Sequence, residues 1–353
     1  MLKIILVYNV GMNKIYIRCE DIPNEFRTPL VPSDVRILLK KGFQVYIQTS
    51  KNRIYKDSDY SKAGAVLTTQ KWYNSNYRDF LIVGLKEFYS LSYLDNHKHV
   101  YFSHSFKNQI NSQETLTAFK DSNSILYDFE YFLNNKNKRI IAFGSYAGQA
   151  GCALGLIQYY NKINKQTMPR LRPWSSYNEM LTTLINHSIP NLKIAIVGAN
   201  GRCGKGVQKV LNDISKPYYT FDKLSDYSKL KDYDIIFNCI LLDESYNKIW
   251  FDESTKFNKP TIIVDISCDY SKPNNPIQLY REATTWKNPV LQYNDNVDII
   301  AIDNLPSLLP KESSDEFSNI FKRLLLLKQK DEQNFIWSKT LDFYKINIKK
   351  RKN

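Results

Sequence analysis

The stretch AIVGANGRCGKG, residues 195–206, decides the fold. An apolar run leads into its glycines, as in a buried strand, and the following GKGVQKVLNDI has the apolar spacing of an amphipathic helix. Gly198, Gly201 and Gly204 are spaced GxxGxxG, a variant of the GxGxxG dinucleotide fingerprint. Such a turn lets the backbone approach a pyrophosphate, whose charge the helix N-terminus attracts. The stretch therefore predicts a nucleotide-binding unit.

The next predicted strand, PYYTFD, ends in Asp222, at the ~20-residue distance typical of the acid that binds a ribose. A carboxylate there accepts hydrogen bonds from the ribose 2′-hydroxyl and repels a 2′-phosphate, which favours NAD over NADP. Two more strands, YDIIFNCI and PTIIVDIS, continue the pattern. This order predicts an NAD-binding Rossmann domain, and an α/β fold without a cofactor is the alternative.

The first half of the chain also alternates strands with helices. Strands are predicted in NKIYIRC, FQVYIQ, DFLIVGLKE, HVYFSHSF, SILYDFEYF and RIIAFG. Helices are predicted in SQETLTAFKDS and in PSDVRILLKKG, with Ser33 as N-cap and Gly42 after the end. A long helix, SYAGQAGCALGLIQYYNKINK, connects the halves, and its small residues permit close approach of a backbone or a ligand. We predict an α/β fold of two Rossmann-like domains with mostly parallel sheets and an interdomain cleft.

The composition argues against several classes of protein. Among the 353 residues no apolar run approaches the ~20 that span a bilayer, so we expect neither a membrane segment nor a secretory signal. The five scattered cysteines include no CxxC, which favours a reducing compartment, the cytoplasm, and no metal site. The formal net charge is +14, but Lys and Arg are spread along the chain apart from the final KINIKKRKN. We therefore expect anionic small molecules as partners, and no nucleic acid.

Ionisable residues follow three predicted strands of the first half. Lys86 and Glu87 end LIVGLKE, His104 ends HVYFSH, and Glu130 ends SILYDFE. Carboxyl ends of parallel strands meet at one edge of a sheet, where ligands bind. A lysine near another cation and out of water loses its proton readily, which suits a general base. Taken singly, such a lysine is more often a surface residue and such a histidine a buried one, but their common edge predicts a catalytic pair.

These segments resemble a known family, the NAD-dependent, L-lysine-forming saccharopine dehydrogenases. The resemblance runs from Ile15 to near the C-terminus and is carried by EFRTPLVP, LIVGLKE, YFSHSFKNQ, LYDFEYF, AFGSYAGQAGCALG, IVGANGRCGKG, FNCI, VDISCDYSKPNNPI and IDNLPSLLPKE. It implies oxidation of saccharopine, a secondary amine, to L-lysine and 2-oxoglutarate as the last step of aminoadipate lysine biosynthesis. It also implies that the C-terminal helices return to the first domain. The expected domains are residues 1–143 plus 312–353 for substrate binding and catalysis, and 144–311 for NAD.

The resemblance implies roles for individual residues. Lys86 accepts the proton of the secondary amine, His104 is the acid–base group of the hydration steps, and Arg27 holds a substrate carboxylate. The other implied substrate contacts are Gln109, Phe143, Ser267, Cys268 and Asp269, and Lys86 itself touches the substrate. The implied NAD contacts are Lys138, Gly201, Arg202, Asp222, Asp226, Leu241, Ile266, Ile302, Asp303, Asn304 and Leu305. Glu87 and Glu130 correspond to carboxylates that tune the charge of the site.

Three positions depart from the family pattern. Lys138 replaces an arginine that touches the cofactor, and lysine keeps the charge but loses the fork geometry. Asn304 stands where a histidine is expected. The segment after Asp222 is shorter than in the family, and Asp226 is assigned to the ribose across that difference.

The resemblance also implies a pair at Cys203 and Cys239. Cys203 lies in the glycine turn, and Cys239 ends a strand that neighbours the first strand of a doubly wound sheet of order 3-2-1-4. Their α-carbons are then expected within the ~4.4–6.8 Å of a disulfide. We expect thiols in a reducing compartment and a disulfide under oxidation. Two unrelated buried cysteines are the alternative.

Two other functions remain as alternatives. An alanine dehydrogenase or transhydrogenase relative shares the two-domain plan and the Lys/His pair, but it lacks AGQAG and LPSLLP. A basic nucleic-acid-binding protein or a catalytically retired homologue is the second, against which the joint presence of Lys86, His104 and Arg27 argues. We expect a monomer that acts on saccharopine, lysine and 2-oxoglutarate. Residues 1–11 precede Met12 outside the resemblance, and we expect a poorly packed extension or a start at Met12.

Overall fold

The computed structural model describes residues 13–106, 112–187, 189–243, 245–327 and 331–350. Internal contacts divide the chain into two units. Unit 1 holds the described residues up to Ala142 together with those from Ser314 onward, and unit 2 spans Phe143–Ser313. Each unit is built on its own six-stranded sheet with helices, which confirms the α/β class. The cleft between them stays a prediction.

The sheet of unit 1 is parallel. Its strands are β1 (Lys14–Ile17), β2 (Gln44–Gln48), β3 (Val66–Thr68), β4 (Leu81–Val83), β5 (Lys98–Tyr101) and β6 (Ile125–Asp128). They lie in the order β3-β2-β1-β4-β5-β6, so Ile15 of β1 pairs with Val45 on one side and Leu81 on the other. The order reverses between β1 and β4. Ligands of open α/β sheets bind outside the carboxyl ends of the strands at such a point.

The helices of unit 1 that lie between its strands are α1 (Pro32–Lys40), α2 (Asp57–Ala63) and α3 (Ser112–Asp121). The start of α1 differs from the prediction, because its N-cap is Val31 and Ser33 lies inside the helix. Pro32 explains this, since its fixed φ and missing amide suit the first helical position. Gly42 follows the helix with a φ of 85°, the conformation expected there of glycine.

The strand predicted in RIIAFG is wrong. Arg139 forms only an isolated bridge with Leu133, and residues 140–143 lie outside the sheet. The reason is a local turn: the side chain of Asn134 accepts hydrogen bonds from the amides of Lys136 and Lys138. The segment therefore folds back on the residues just before it instead of extending the sheet.

Unit 2 is built on β7 (Ile194–Val197), β8 (Tyr219–Phe221), β9 (Ile235–Asn238), β10 (Thr261–Asp265), β11 (Leu291–Gln292) and β12 (Val297–Ile300). Their order is β11-β12-β10-β9-β7-β8, with β11 antiparallel to β12 and the other pairs parallel. The central strands are buried along their whole length, which explains their continuous apolar runs. The strand order reverses between β7 and β9.

Helices α4 (Gly144–Ile163), α5 (Tyr177–Asn186) and α6 (Arg202–Asp213) complete unit 2. The small residues of α4 serve close packing. A Cβ at Gly148 would lie 1.9 Å from the carbonyl oxygen of Cys203 in α6, and one at Gly206 would lie 2.0 Å from that of Ser145 in α4. At Gly155 a Cβ would lie 2.8 Å from Val264 of β10. Glycine thus lets α4 touch both the sheet and the first turns of α6.

Two C-terminal helices, α7 (Pro310–Leu326) and α8 (Asp331–Lys350), follow. Within unit 1, Ser314 and Ser318 of α7 accept hydrogen bonds from the amides of Thr28 and Val31. On α8 the hydroxyl of Tyr344 donates to the carbonyl of residue 124 at 2.6 Å. Among the described residues, none of the helices combines the length and apolar character needed to cross a membrane.

Candidate active site

The loops after β4, β5 and β6 bring ionisable side chains to one edge of unit 1. Lys86 follows β4, His104 follows β5 and Glu130 follows β6. Because these neighbouring strands are parallel, their carboxyl ends meet at this edge. Lys86 and His104 are partly buried, Glu130 is buried, and Glu87 is exposed beside Lys86.

The backbone of Lys86 is bonded to a buried ion pair. The carboxylate of Glu20 accepts hydrogen bonds from the amides of Leu85 and Lys86 at 2.7 and 3.0 Å. Arg18 donates to the carbonyl of Lys86, and its Nη1 lies 3.2 Å from Oε2 of Glu20. Gly84 makes room for this arginine, since a Cβ there would lie 2.3 Å from the guanidinium. Burial raises the pKa of Glu20, and Arg18 opposes that rise.

A second buried ion pair joins Arg27 to Glu25. Nε and Nη2 of Arg27 donate to the two oxygens of Glu25 at 2.7 and 2.5 Å. Burial alone would raise the pKa of Glu25, but Arg27 and, more weakly, Lys86 bring it below its ordinary value. Arg27 and Glu25 therefore form a buried ion pair in the loop between β1 and α1.

His104, which follows β5, lies beside a carboxylate that follows β6. Its Nδ1 lies 3.4 Å from Oε1 of Glu130, and Arg139 donates to the same oxygen at 2.9 Å. The φ of His104 is 54°, a conformation that costs a non-glycine residue ~1–3 kcal/mol and is found at functional sites. Burial raises the pKa of Asp128 to about 6, against hydrogen bonds from the Glu130 amide and the Ser103 hydroxyl. The imidazole thus has a carboxylate neighbour that can orient it.

The last two predicted residues of unit 1 are Lys138 and Gln109. Lys138 lies in an exposed turn, where its amide donates to Asn134 at 3.0 Å, and the neighbouring Arg139 is the one that reaches Glu130. Gln109 falls in residues 107–111, outside the described residues.

The glycine turn of unit 2 follows β7. Gly198 has a φ of 84°, and a Cβ there would lie 2.9 Å from the carbonyl of Cys239, so glycine is required. Gly201 is the N-cap of α6, and Arg202 is exposed in the first turn of that helix. The turn therefore leaves backbone and a helix N-terminus open to an anion at the reversal of strand order.

Asp222 and Asp226 lie after β8, and both are exposed. One carboxylate oxygen of Asp222 accepts hydrogen bonds from the amide of Leu224 and the hydroxyl of Ser225, each at 3.0 Å. These bonds lower its pKa, the Leu224 amide most strongly. Asp226 instead caps the turn at Tyr227–Asp232, accepting from the amide of Ser228 at 3.1 Å.

The loop after β10 is shaped by a buried carboxylate, Asp265. Its oxygens accept hydrogen bonds from Asn238 at 2.9 Å, from the Cys268 amide at 3.0 Å and from the Tyr280 hydroxyl. Burial raises the pKa of Asp265 to about 6. Cys268 has a φ of 53° and, with Ser267, is partly buried. Asp265 thus fixes the loop that carries three of the predicted substrate contacts, of which Asp269 is the last.

The remaining predicted contacts of unit 2 vary in exposure. Ile266, Ile302 and Leu305 are buried, and Asp303 is exposed. Asn304, at the position where a histidine was expected, accepts a hydrogen bond from the indole of Trp286 at 2.7 Å. The other two are Leu241, which is 88% exposed, and Phe143, the N-cap of α4.

The structure does not support a disulfide between Cys203 and Cys239. All five cysteines are thiols, the state expected in a reducing compartment, and a bond under oxidation stays a prediction. The strand that Cys239 follows does lie beside β7, and the Cys239 amide donates to Val197 at 2.9 Å. Burial, followed by the nearby Cys203, raises the pKa of the Cys239 thiol well above its ordinary value. The thiolate that starts disulfide formation is therefore disfavoured.

Comparison with known proteins gives relatives over nearly the whole chain. The chain is 31% identical to a Schizosaccharomyces pombe protein named saccharopine dehydrogenase [NAD(+), L-lysine-forming], covering 95% of this chain and 98% of the relative. Relatives of the same name from Candida glabrata and Emericella nidulans are 31% and 30% identical, covering 86% and 96% of this chain and 89% and 98% of theirs. The chain belongs to the saccharopine dehydrogenase family. Residues 16–150 also match the family described as alanine dehydrogenase/PNT, N-terminal domain.

Solved structures agree on the fold of this saccharopine dehydrogenase family member. An L-alanine dehydrogenase superposes with a TM-score of 0.71 at 16% identity, covering 93% of this chain and 94% of that one. A transhydrogenase from Sinorhizobium meliloti gives 0.65 at 15% identity, with 88% and 91% covered. At these identities the likeness concerns the fold alone.

Sequence reasoning missed several charged residues that surround the predicted ones in this family member. They are Arg18, Glu20, Glu25, Asp128, Arg139 and Asp265. A signal was present for some of them, since Arg18 and Asp265 are charged residues that end apolar strands. Their partners come from distant parts of the chain, however, and periodicity alone does not reveal which loops meet.

Proposed function

We propose that this chain catalyses the NAD-dependent conversion of saccharopine and water to L-lysine and 2-oxoglutarate. The observation that carries the proposal is the charged edge of unit 1, where the Lys86 amide donates to the buried Glu20 carboxylate and His104 lies 3.4 Å from the buried Glu130 carboxylate. The family relationship over 95% of the chain supports the choice of substrate.

The residues of unit 2 fit NAD. The positive φ at Gly198, the capping Gly201 and the N-terminus of α6 suit a pyrophosphate, and Asp222 suits a ribose 2′-hydroxyl. Arg202 is exposed at the same helix start and would contact the phosphates. When bound, NAD would accept a hydride from the glutamyl α-carbon of saccharopine.

Lys86 would take the proton from the secondary amine, whose lone pair must be available as the carbon–nitrogen double bond forms. The Glu25 carboxylate, whose pKa Lys86 helps to lower, would balance the charge of that proton. Arg27 would bind a substrate carboxylate, because a guanidinium offers paired donors and the bonds to Glu25 fix its plane.

His104 would serve the hydrolysis of the resulting double bond. A base removes a proton from the attacking water, and an acid then delivers one to the departing lysine nitrogen. One imidazole can do both in turn, and Glu130, at 3.4 Å, would orient it.

We also propose that the enzyme is a cytoplasmic monomer that does not bind nucleic acid. The five cysteines are scattered along the sequence and include no CxxC, which supports a reducing compartment. The even spread of Lys and Arg supports attraction of anionic substrates rather than of a polyanion. Light scattering during gel filtration and a salt-dependent shift assay with DNA and RNA test the last two points.

The proposed function is tested by following NADH absorbance when saccharopine is added to the protein with NAD. We expect steady NADH formation with saccharopine and none above background with alanine. Turnover of alanine but not of saccharopine would contradict the proposal and favour the alanine dehydrogenase alternative.

A further inference from the structure

We infer that the buried pair Arg18–Glu20 is a positioning element that aims the Lys86 side chain. This inference rests on the proposed function, because it concerns how the proposed base is held. Neither residue touches a reacting atom in that proposal. They form hydrogen bonds with the backbone around Lys86, and the backbone in turn sets the position of the lysine amine.

Arg18 and Glu20 form hydrogen bonds with both peptide groups that flank the Lys86 α-carbon. On one side, the two oxygens of Glu20 accept separate hydrogen bonds from the amides of Leu85 and Lys86. On the other side, Arg18 donates to the carbonyl of Lys86. Fixing both peptide planes fixes the direction of the Cα–Cβ bond, from which the flexible lysine chain starts.

The guanidinium of Arg18 is held in place by its burial and by two aromatic rings. Its side chain is 1% exposed, and its guanidinium carbon lies 5.6 and 5.8 Å from the ring centres of Phe88 and Tyr101. Gly84 leaves the space it occupies. A buried ion pair is weak evidence for stability, because desolvation offsets its attraction. Arg18 and Glu20 supply two acceptors and one donor to the backbone around Lys86. Apolar residues at these positions would supply none of them.

Glu20→Gln tests the positioning role with minimal change in shape. The new amide nitrogen cannot accept a hydrogen bond, so one of the two backbone amides loses its acceptor. A displacement of the base of about 1 Å lowers turnover up to ~10²-fold, so we expect kcat to fall ~10–100-fold. KM for saccharopine should stay within ~3-fold, because an effect on the base alone leaves ground-state binding in place.

Gly84→Ala disturbs the same ion pair by displacing Arg18 instead of altering Glu20. It provides a second test if Glu20→Gln folds poorly. Its Cβ would displace the Arg18 guanidinium, so we expect the same selective loss of kcat. The matched control is Asp34→Asn, which breaks another buried ion pair of unit 1, with Lys322 at 2.6 Å, on helices α1 and α7. It should lower the melting temperature but retain the wild-type kcat.

The deciding step repeats Glu20→Gln in a Lys86→Met background. If Glu20 acts through Lys86, the second substitution should cause no further loss of the residual rate. A full additional loss there, or a wild-type kcat in both Glu20→Gln and Gly84→Ala, would overturn the positioning role. Absence of saccharopine turnover in the wild type would instead contradict the proposed function itself.

Discussion

Two side chains of unit 1, Lys86 and His104, carry the proposed proton transfers. Lys86→Met and His104→Gln should each lower kcat by ~10²–10⁴-fold, the usual contribution of acid–base assistance. NAD affinity, measured by titration, should change little, because the glycine turn belongs to unit 2. Near-normal turnover of the double variant would contradict both assignments.

Asp222 is the residue expected to choose between the two nicotinamide cofactors. Asp222→Ser removes a like charge facing a 2′-phosphate, so the ratio of kcat/KM for NAD over NADP should fall by ~10-fold or more. Asp243→Ser is the matched control, since Asp243 is an exposed acid of unit 2 that accepts similar bonds from Ser245. Equal use of both cofactors by the wild type would show that Asp222 has no such role.

Asp265 should give stability an unusual dependence on pH. Its pKa is about 6 in the folded protein and ordinary when unfolded, so the folded state binds the proton more tightly. The contribution of this group to the free energy of unfolding is therefore largest below about pH 4 and falls as pH rises to 6, by ~1–3 kcal/mol. Asp128, whose pKa is raised to about 6 as well, contributes a similar fall, so Asp265→Asn should make the decline measured by urea unfolding between pH 4 and 7 shallower. An unchanged slope would contradict the assigned burial effect.

At the scale of elements, the contact between α4 and α6 sets the position of the helix start that faces the proposed pyrophosphate. Gly206→Ala places a Cβ 2.0 Å from the Ser145 carbonyl, so the helices must separate. We expect the free energy of unfolding to fall by ~1–3 kcal/mol and NAD affinity to drop. Asn212→Ala, at an exposed position in the last turn of the same helix, is the control. Unchanged stability and affinity in Gly206→Ala would show that this contact is not what positions α6.

Most elements were predictable because buried parallel strands are continuous apolar runs separated by helical spacing. The glycine turn was predictable from its GxxGxxG spacing. The structure explains the glycine at its first position, because Gly198 has a positive φ and a side chain there would clash with Cys239. RIIAFG was not predictable from its own letters, because the competing turn is made by Asn134, which precedes it. The start of α1 was predicted wrongly because Ser33 was taken as the N-cap, whereas Pro32 is suited to the first helical position. For the site, strand ends revealed Lys86 and His104, whereas the buried partners Glu25 and Asp128 depend on which loops meet.

At the scale of the whole molecule, each unit places some of its predicted residues next to a reversal of strand order. In unit 1 the reversal between β1 and β4 brings Arg18 and Glu20 against the backbone of Lys86. In unit 2 the reversal between β7 and β9 places the glycine turn against residue 239. The two sheets thus divide the proposed work, with acid–base groups on one and cofactor contacts on the other.

The central claim is the identity of the reaction, and product analysis tests it most directly. Saccharopine has two carbon–nitrogen bonds at its secondary amine, and the carbon that gives up the hydride determines which bond is hydrolysed. Oxidation at the glutamyl α-carbon yields lysine and 2-oxoglutarate, whereas oxidation on the lysine side yields glutamate and an aldehyde. We predict that each NADH formed is accompanied by one lysine and one 2-oxoglutarate. Formation of glutamate, or of NADH without lysine, would contradict the account.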